Sequence, residues 1–314
     1  MSHLAGGHGR QPTHDAVRGK GCDESLDPRS AKVLTAGVDV GSVSAQAVVC
    51  ADGAPWAWAS MRAGPARLDS GREVMERALD GSGIELGELH FVVATGYGRV
   101  KLSFAHKRIS EIHCHARGAR FLYGPELRTV LDVGGQDYKA IRCDARGKVQ
   151  SFLVSDKCAA GTGRGLEVFA DLLEVPLDEL GPMSLAVEEE PEPVSDVCVV
   201  FARSEAASRL RAGWSREAVM AAYCRATAER VLALLEQLGV EPGFGVTGGI
   251  AKNAGVVTRL ERALGLEVMK SDFDPQLAGA LGAALLGTDL SFQVFRRESH
   301  AEEEEGRHAR QGQT

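Results

Sequence analysis

Three glycine turns that directly follow apolar strands are the residues best placed to do chemistry. They lie in VDVGSVS (38–44), LDVGGQD (131–137) and VTGGIAKN (246–253). Glycine lets backbone N–H groups approach phosphate oxygens, and Ser42 and Ser44 can add hydroxyl donors. Three such turns, two with aspartate at the same offset, favour a phosphate site over simple hairpin turns. The spacings GxxxxGK[ST] and GxGxxG do not occur at these strand ends, which argues against a P-loop or a Rossmann site.

Four polar side chains beside these turns are candidates for the reaction itself. Asp39 and Asp132 each end a predicted strand. Their carboxylates can hold Mg²⁺, usually through water, and so balance the charge of a triphosphate. Gln136 and Asp137 are placed to orient or deprotonate an attacking water, because phosphoryl transfer depends mainly on positioning. The sequence therefore predicts chemistry on a nucleoside triphosphate.

Two cysteines form a second candidate centre. Cys158 lies a few residues ahead of a predicted helix, whose positive end favours a thiolate. The approach to that helix consists of Gly161, Thr162 and Gly163. Cys198 precedes another apolar stretch, and two thiolates are half the four that a 4Fe-4S cluster needs, so a dimer could complete the set. Because there is no CxxC pair, the spacing alone leaves open that both are small buried hydrophobic residues.

The predicted elements repeat along the chain. A strand, an aspartate-glycine turn, a second strand and a hairpin occur near Asp39 and again near Asp132. Such a duplication predicts two related halves facing each other across a cleft. The remaining predictions are helices over 165–173, 216–238 and 255–264, a strand over 267–269, and a last helix of small residues over 276–287.

Composition and charge narrow the class of protein. The chain is 44% hydrophobic with 37 glycines and few aromatic residues, which suits an α/β protein rich in tight turns. The net charge of −7 and the lack of a dense basic stripe predict no nucleic-acid partner. No run approaches the ~18 apolar residues that span a bilayer, so we expect a cytoplasmic protein without a membrane contact. Seven cysteines in such a chain indicate metal ligation or burial rather than a disulfide framework.

We expect four regions along the chain. Residues 1–31 lack the apolar centre of a signal peptide and are predicted to form a disordered tail. Residues 32–129 form a first subdomain, on which 274–290 pack back, and 130–273 form a second that carries the two cysteines. Residues 291–314 are predicted to be an acidic tail. Cys114, between His113 and His115, could be a metal ligand, although a core or partner contact is the simpler interpretation.

The phosphate turns resemble those of the superfamily of actin, sugar kinases and heat-shock chaperone ATPases. That resemblance implies an actin-like ATPase fold, with ribonuclease H-like duplicated α/β subdomains around a nucleotide cleft. It also implies three contacts with the nucleotide. The first phosphate loop would consist of Asp39, Gly41, Ser42 and Ser44, and the second of Asp132, Gly134, Gly135 and Gln136. The residues beside the nucleoside would be Gly248, Gly249 and Asn253.

Longer stretches resemble one family within that superfamily, the activators of 2-hydroxyacyl-CoA dehydratases and the ATP-binding subunits of benzoyl-CoA reductases. The stretches are ATGYGR (94–99), ISEIHCHARGARF (109–121), LDVGGQDYKAI (131–141), DKCAAGTGR (156–164), CVVFARSE (198–205), TGGIAKN (247–253) and DPQLAGALGAALLG (274–287). The resemblance implies that Cys158 and Cys198 bind one 4Fe-4S cluster across a dimer interface. It further implies ATP and Mg²⁺ as cofactors.

The resemblance leaves three functions open. GPMSL (181–185) and RAGWSREAVMAAYC (211–224) are most similar to ATP-binding subunits of benzoyl-CoA reductase, an oxidoreductase of anaerobic aromatic degradation. We therefore expect an electron-activating ATPase with a homologous ATPase subunit, thioester-binding subunits and ferredoxin as partners. The alternatives are a homodimeric dehydratase activator and, from another class, a small-molecule kinase with incidental cysteines. The kinase would need a second substrate pocket and would be colourless.

Overall fold

The computed structural model describes residues 25–63 and 67–311, with side chains described except at 67–68 and 295–311. The predicted tail over 1–31 therefore lies mostly outside the described residues. Its last part is ordered, contrary to expectation: Pro28–Ser30 form a 3-10 helix capped by the side chain of Asp27, and Leu26 packs against the core of the first sheet. Burial of Pro28 and partial burial of Leu26 explain why the chain is fixed before Lys32.

The first sheet has five strands in the order β3-β2-β1-β4-β5. The strands and the helix packed on them are β1 (Leu34–Val40), β2 (Ser44–Ala51), β3 (Ala54–Arg62), α1 (Arg67–Leu79), β4 (Phe91–Thr95) and β5 (Lys107–Arg108). β1 is buried along its whole length, as expected for a central strand covered on both faces. It pairs antiparallel with β2 and parallel with β4.

The second sheet repeats this arrangement in the order β8-β7-β6-β9. Its elements are β6 (Thr129–Val133), β7 (Tyr138–Cys143), β8 (Val149–Val154), α3 (Gly163–Leu173), α4 (Leu180–Ser184), α5 (Val199–Arg211), α6 (Arg216–Leu238), β9 (Phe244–Gly248) and α7 (Ala254–Leu264). Here β6 pairs antiparallel with β7 and parallel with β9. The predicted duplication is thus present in the strand pairing. The strand predicted over 267–269 is wrong, because only a single bridge from Val268 to Phe244 forms.

Two helices lie between the sheets. They are α2 (Glu111–Tyr123) and α8 (Ala278–Gln311). The two helices cross closely. A Cβ on Gly118 would lie 2.0 Å from the carbonyl oxygen of Ala278, and a Cβ on Gly282 would lie 1.8 Å from the carbonyl oxygen of Cys114. α8 runs past the end predicted at 287, so the stretch interpreted as an acidic tail continues this helix.

In the described part of the chain, the remaining regular segments are five 3-10 turns, at Pro28–Ser30, Leu86–Glu88, Arg99–Lys101, Gly249–Lys252 and Pro275–Leu277. One described stretch, Pro275–Val294, is long and apolar enough by composition to cross a membrane, contrary to the sequence expectation. In the fold 67% of that window is buried inside the protein. The stretch therefore packs as a core helix, against β1 and α2.

Candidate functional site: a nucleotide cleft and its cysteine segments

The two sheets present the same pair of polar residues at the ends of their central strands. In the first sheet Asp39, the last residue but one of β1, is in register with Thr95 of β4. In the second sheet Asp132, the last residue but one of β6, is in register with Thr247 of β9. Both carboxylates are buried, with Asp39 8% and Asp132 2% exposed. Because the carboxyl ends of parallel strands meet at one edge of a sheet, each aspartate lies at the mouth of the crevice between the two sheets.

A glycine follows each of these threonines and brings the next turn close to the aspartate. Gly96 and Gly248 have φ angles of 82° and 80°, which disfavour any residue with a side chain. A Cβ on Gly96 would lie 2.4 Å from Asp39 Oδ1, and one on Gly248 would lie 2.9 Å from Asp132 Oδ1. The Thr-Gly pair is thus a second duplicated signal in the sequence, beside the aspartate-glycine turns.

The two predicted phosphate turns have the same hydrogen bond and face each other. The N–H of Gly41 donates to the carbonyl of Ser44 at 2.9 Å, and that of Gly134 donates to the carbonyl of Asp137 at 3.0 Å. A Cβ on Gly135 would lie 2.6 Å from the hydroxyl oxygen of Ser42. The structure therefore brings together the predicted phosphate-loop residues, namely Gly41, Ser42, Ser44, Gly134 and Gly135.

His115, which was not predicted as a cleft residue, joins the two aspartates. It projects from α2 and is buried, with its Nδ1 3.1 Å from Asp132 Oδ1 and its Nε2 3.6 Å from Asp39 Oδ2. The hydroxyl of Thr247 lies 3.1 Å from the same Nδ1 and donates to Asp132. His115 thus contacts a carboxylate from each half of the molecule.

Lys139 is a buried cation among three carboxylates. Its Nζ lies 2.9 Å from Asp137, 3.0 Å from Glu111 and 3.4 Å from Asp132. Asp137, predicted to act on water, is therefore engaged by this ion pair and by a hydrogen bond from Tyr97. Gln136, the other predicted water-orienting residue, is exposed in the turn.

These buried charges shift one another's pKa values. Burial opposes ionisation of Asp132, but His115 and Lys139 outweigh it and hold the pKa of this carboxyl below its usual range. Burial likewise opposes the charge on Lys139, and the three carboxylates raise its pKa. Burial is the largest influence on Glu111 and raises its pKa despite Lys139. The cluster is thus a compensated network in which each charge depends on its partners.

Glu111 and His115 were not predicted as site residues, although their spacing in the sequence is a signal that could have identified them. The two residues are four apart on α2, so they lie on one helix face and point into the cleft, whereas His113 between them is exposed and contacts Ser110. Cys114 is fully buried, and burial raises the pKa of its thiol to about 12. Within the described ranges no group of three metal-ligating side chains forms, so the proposed His-Cys-His site is not assembled.

The predicted nucleoside residues divide into two kinds. Gly249 follows β9, and a Cβ on it would meet open space. Gly248 is buried against the carbonyl of Val133 and shapes the strand end. Asn253 is buried, and its Oδ1 accepts from the N–H of Val256, so its side chain caps α7. Gly249 thus has space beside it, whereas the carbonyl oxygen of the Asn253 side chain already serves the fold.

The Cys158 segment is hydrogen-bonded to the second phosphate turn. The N–H of Cys158 donates to the carbonyl of Gln136 at 2.9 Å, and that of Gly163 donates to the carbonyl of Gly134 at 2.9 Å. The buried hydroxyl of Thr162 donates to the carbonyl of Gly135 at 3.1 Å. Every residue of the turn from 134 to 136 therefore holds the cysteine segment through its backbone carbonyl.

Cys198 occupies the N-cap position of α5, and its side chain makes no capping hydrogen bond. Arg230 lies between this segment and the Cys158 segment. Its guanidinium donates to the carbonyl of Asp196, two residues before Cys198. Its Cδ packs close to Gly161, since a Cβ on that glycine would lie 3.1 Å away. Both cysteines are half-exposed, whereas the other four described cysteines are buried. The two predicted cluster ligands are thus the described thiols nearest to solvent.

The residues present fit the groups that the resemblance implies. Asp39 and Asp132 supply oxygen donors for Mg²⁺, which keeps several waters and needs only one or two carboxylates. Cys158 and Cys198 supply two thiols. In the part of the chain that the structure describes, no third metal-ligating side chain is grouped with them. A four-thiolate cluster on these cysteines would need a second chain.

The chain is similar in sequence to the members of one ATPase family. The model of the BadF/BadG/BcrA/BcrD ATPase family matches residues 36–287. The activator of lactoyl-CoA dehydratase from Anaerotignum propionicum is 43% identical over 253 residues, which are 81% of this chain and 96% of that protein. One of the benzoyl-CoA reductase subunits from Thauera aromatica is 32% identical over 278 residues, which are 85% of this chain and 95% of that protein.

A solved structure gives the same result for the fold. The activator of the 2-hydroxyisocaproyl-CoA dehydratase from Clostridium difficile, with bound ADPNP, superposes with a TM-score of 0.79 at 38% identity. The match covers 84% of this chain and 98% of that one. The predicted actin-like ATPase fold is therefore confirmed.

Proposed function

Because the chain belongs to the BadF/BadG/BcrA/BcrD ATPase family, we propose that it is the ATP-hydrolysing activator of a 2-hydroxyacyl-CoA dehydratase. The observation that carries the proposal is the bonding of the Cys158 segment to the second phosphate turn at Gly134, Gly135 and Gln136. Sequence analysis favoured benzoyl-CoA reductase, but the identity of 43% to a dehydratase activator against 32% to the reductase protein favours the alternative.

ATP would bind between the facing turns. The N–H groups of residues 42–44 and 135–137 and the hydroxyls of Ser42 and Ser44 would contact its phosphates. Mg²⁺ would be held by Asp39 and Asp132, mainly through water. The open space at Gly249 supports a nucleoside position beside the end of β9.

Hydrolysis would depend on placement of the attacking water. Gln136 is exposed in the turn, next to where the terminal phosphate would lie, and could orient that water. His115 would keep the two aspartates at a fixed separation, since it contacts both. Lys139 would neutralise Asp132 and Asp137 when no nucleotide is bound.

Two copies of the chain would pair at the cysteine face. Three large apolar side chains next to Cys198 are exposed: Val197 is 70%, Val200 66% and Phe201 62% exposed. Covering them would remove apolar surface from water, and a second chain would bring the third and fourth cysteines. The 4Fe-4S cluster, when bound, would carry one electron from a ferredoxin-like donor to the dehydratase. We expect this to take place in the cytoplasm.

A reconstitution experiment tests this proposal. The anaerobically purified chain is mixed with a low-potential electron donor and a 2-hydroxyacyl-CoA dehydratase that has been isolated in its inactive state. We expect dehydration of the thioester only when ATP and Mg²⁺ are present. A parallel mixture contains the thioester-binding subunits of a benzoyl-CoA reductase. Activation of those subunits alone would return the assignment to the reductase, and activation of neither would reject the proposal.

A further inference from the structure

Tyr97 is fixed to the first half of the molecule. It lies in the turn after β4, where the N–H of Gly98 donates to the carbonyl of Val40 at 2.9 Å. A Cβ on Gly98 would lie 2.5 Å from Cγ1 of Val40, so this turn is packed tightly against the end of β1. The ring of Tyr97 therefore moves with the first sheet and its phosphate turn.

The two contacts of the Tyr97 side chain lie in the other half. Its hydroxyl donates to Asp137, which is 2% exposed and anchored by Lys139. Its ring faces the ammonium group of Lys157, 4.7 Å from the ring centroid. A cation at that distance is attracted to the negative face of the ring.

Lys157 directly precedes Cys158, whose N–H is bound to the carbonyl of Gln136. The cysteine segment is thus attached in two ways, to its own half through the turn and to the opposite half through the Tyr97 ring. Of these two attachments, only the second depends on how far the cleft is closed, because it joins the two halves. The ion pair of Arg62 with Glu167 also joins them, but it lies farther along the chain, on α3.

We propose that Tyr97 is the positioning residue through which closure of the nucleotide cleft fixes the Cys158 segment. This inference rests on the proposed function. Closure places the ring against Lys157 and the hydroxyl on Asp137, and opening removes both contacts together. ATP favours the closed form because its phosphates contact both turns, so the segment is held with ATP and released after hydrolysis.

Two measurements test this proposal, and the first does not require a cluster. Hydrogen exchange of the segment over 155–163 is followed in metal-free protein with ADP and with a non-hydrolysable ATP analogue. The second is the redox potential of the anaerobic protein with the same nucleotides. In the wild type we expect slower exchange and a shifted potential with the analogue.

The variant Lys157→Gln should still bind the analogue but lose most of both differences, whereas Lys157→Arg should keep them. Tyr97→Phe keeps the ring and loses the hydrogen bond to Asp137, so it should lose part of both differences. Tyr123→Phe is the matched control, since its hydroxyl donates to the carbonyl of Val246 within one half. Full nucleotide-dependent protection in Tyr97→Phe, or in the surface variant Lys157→Gln, would overturn the inference. Wild-type protein without iron would reject the proposed function, yet the exchange measurement would still decide the role of Tyr97.

Discussion

His115 Nδ1 lies 3.1 Å from Asp132 Oδ1, so a helix between the two halves directly contacts the carboxylate at the centre of the cleft. The opposite nitrogen of the same ring lies 3.6 Å from Asp39. The imidazole is thus a spacer between two proposed Mg²⁺ carboxylates. A residue that orients such carboxylates affects the metal without binding it.

His115→Gln should weaken Mg²⁺-dependent ATP hydrolysis. Loss of a group that orients metal ligands typically costs about 10–100-fold in metal affinity or activity. We expect the Mg²⁺ concentration for half-maximal hydrolysis to rise, with a smaller change in the KM for ATP. His113→Gln is the control, because His113 is on the same helix but exposed. An unchanged Mg²⁺ dependence in His115→Gln would contradict this role.

Lys139→Met should destabilise the metal-free protein, and increasingly so as the pH rises. Breaking a buried ion pair by removing one partner costs about 3–5 kcal/mol. Without the cation, the folded-state pKa values of Asp132 and Glu111 rise above those of the wild type, because Lys139 lowers both. The stability deficit is therefore smallest below the unfolded carboxyl pKa of about 4 and grows as the pH passes through the raised values.

Urea unfolding between pH 4 and 8, followed by circular dichroism, measures this deficit. Lys148→Met is the control, since Lys148 is exposed and its replacement should change stability by less than about 0.5 kcal/mol. A deficit that shrinks toward high pH would mean that Lys139 does not compensate these carboxylates.

Gly282→Ala should loosen the crossing of α2 and α8. The new methyl group would lie 1.8 Å from the carbonyl oxygen of Cys114, which belongs to the backbone and cannot simply rotate away. Overpacking of this kind typically costs about 1–3 kcal/mol, seen as a lower Tm. Gly87→Ala is the matched control, because a Cβ there meets nothing within 4 Å. Equal Tm values for the two variants would show that the crossing is not tight.

Phe201→Ser should weaken pairing of two chains. If this ring is a buried anchor of the dimer, its loss costs about 2 kcal/mol, which is roughly a 30-fold higher dimer Kd. Sedimentation equilibrium under anaerobic conditions gives the Kd. Phe121→Ser serves as the comparison, since Phe121 is also exposed but lies on α2. The same Kd for wild type and Phe201→Ser would place the dimer interface elsewhere.

The duplicated fold could be predicted because its signal is local. A strand ending in aspartate and glycine is legible around Asp39 and again around Asp132. The network of His115, Lys139 and Tyr97 could not be predicted in this way. These residues come from a helix, a strand and a turn that are far apart in sequence, and only the closure of the two halves brings them together.

Other differences have local physical causes. Asn253 stays a predicted nucleoside residue, and its added role as a helix cap was not foreseen, although an asparagine before a helix readily caps it: its Oδ1 accepts from the N–H of Val256. The helix α5 was seen only as an apolar stretch. Its valines and its phenylalanine near Cys198 are exposed in the single chain, so they do not form the one-sided apolar stripe by which a helix is usually predicted.

The central claim is that Cys158 and Cys198 hold one 4Fe-4S cluster between two chains. Iron and acid-labile sulfide in anaerobically purified protein, counted per chain, test it most directly. We predict about two iron and two sulfide per chain in a dimer, lost in Cys158→Ala and Cys198→Ala but retained in Cys143→Ala, whose thiol is buried. Iron-free wild-type protein, or iron that persists in both variants of the half-exposed cysteines, would contradict the claim.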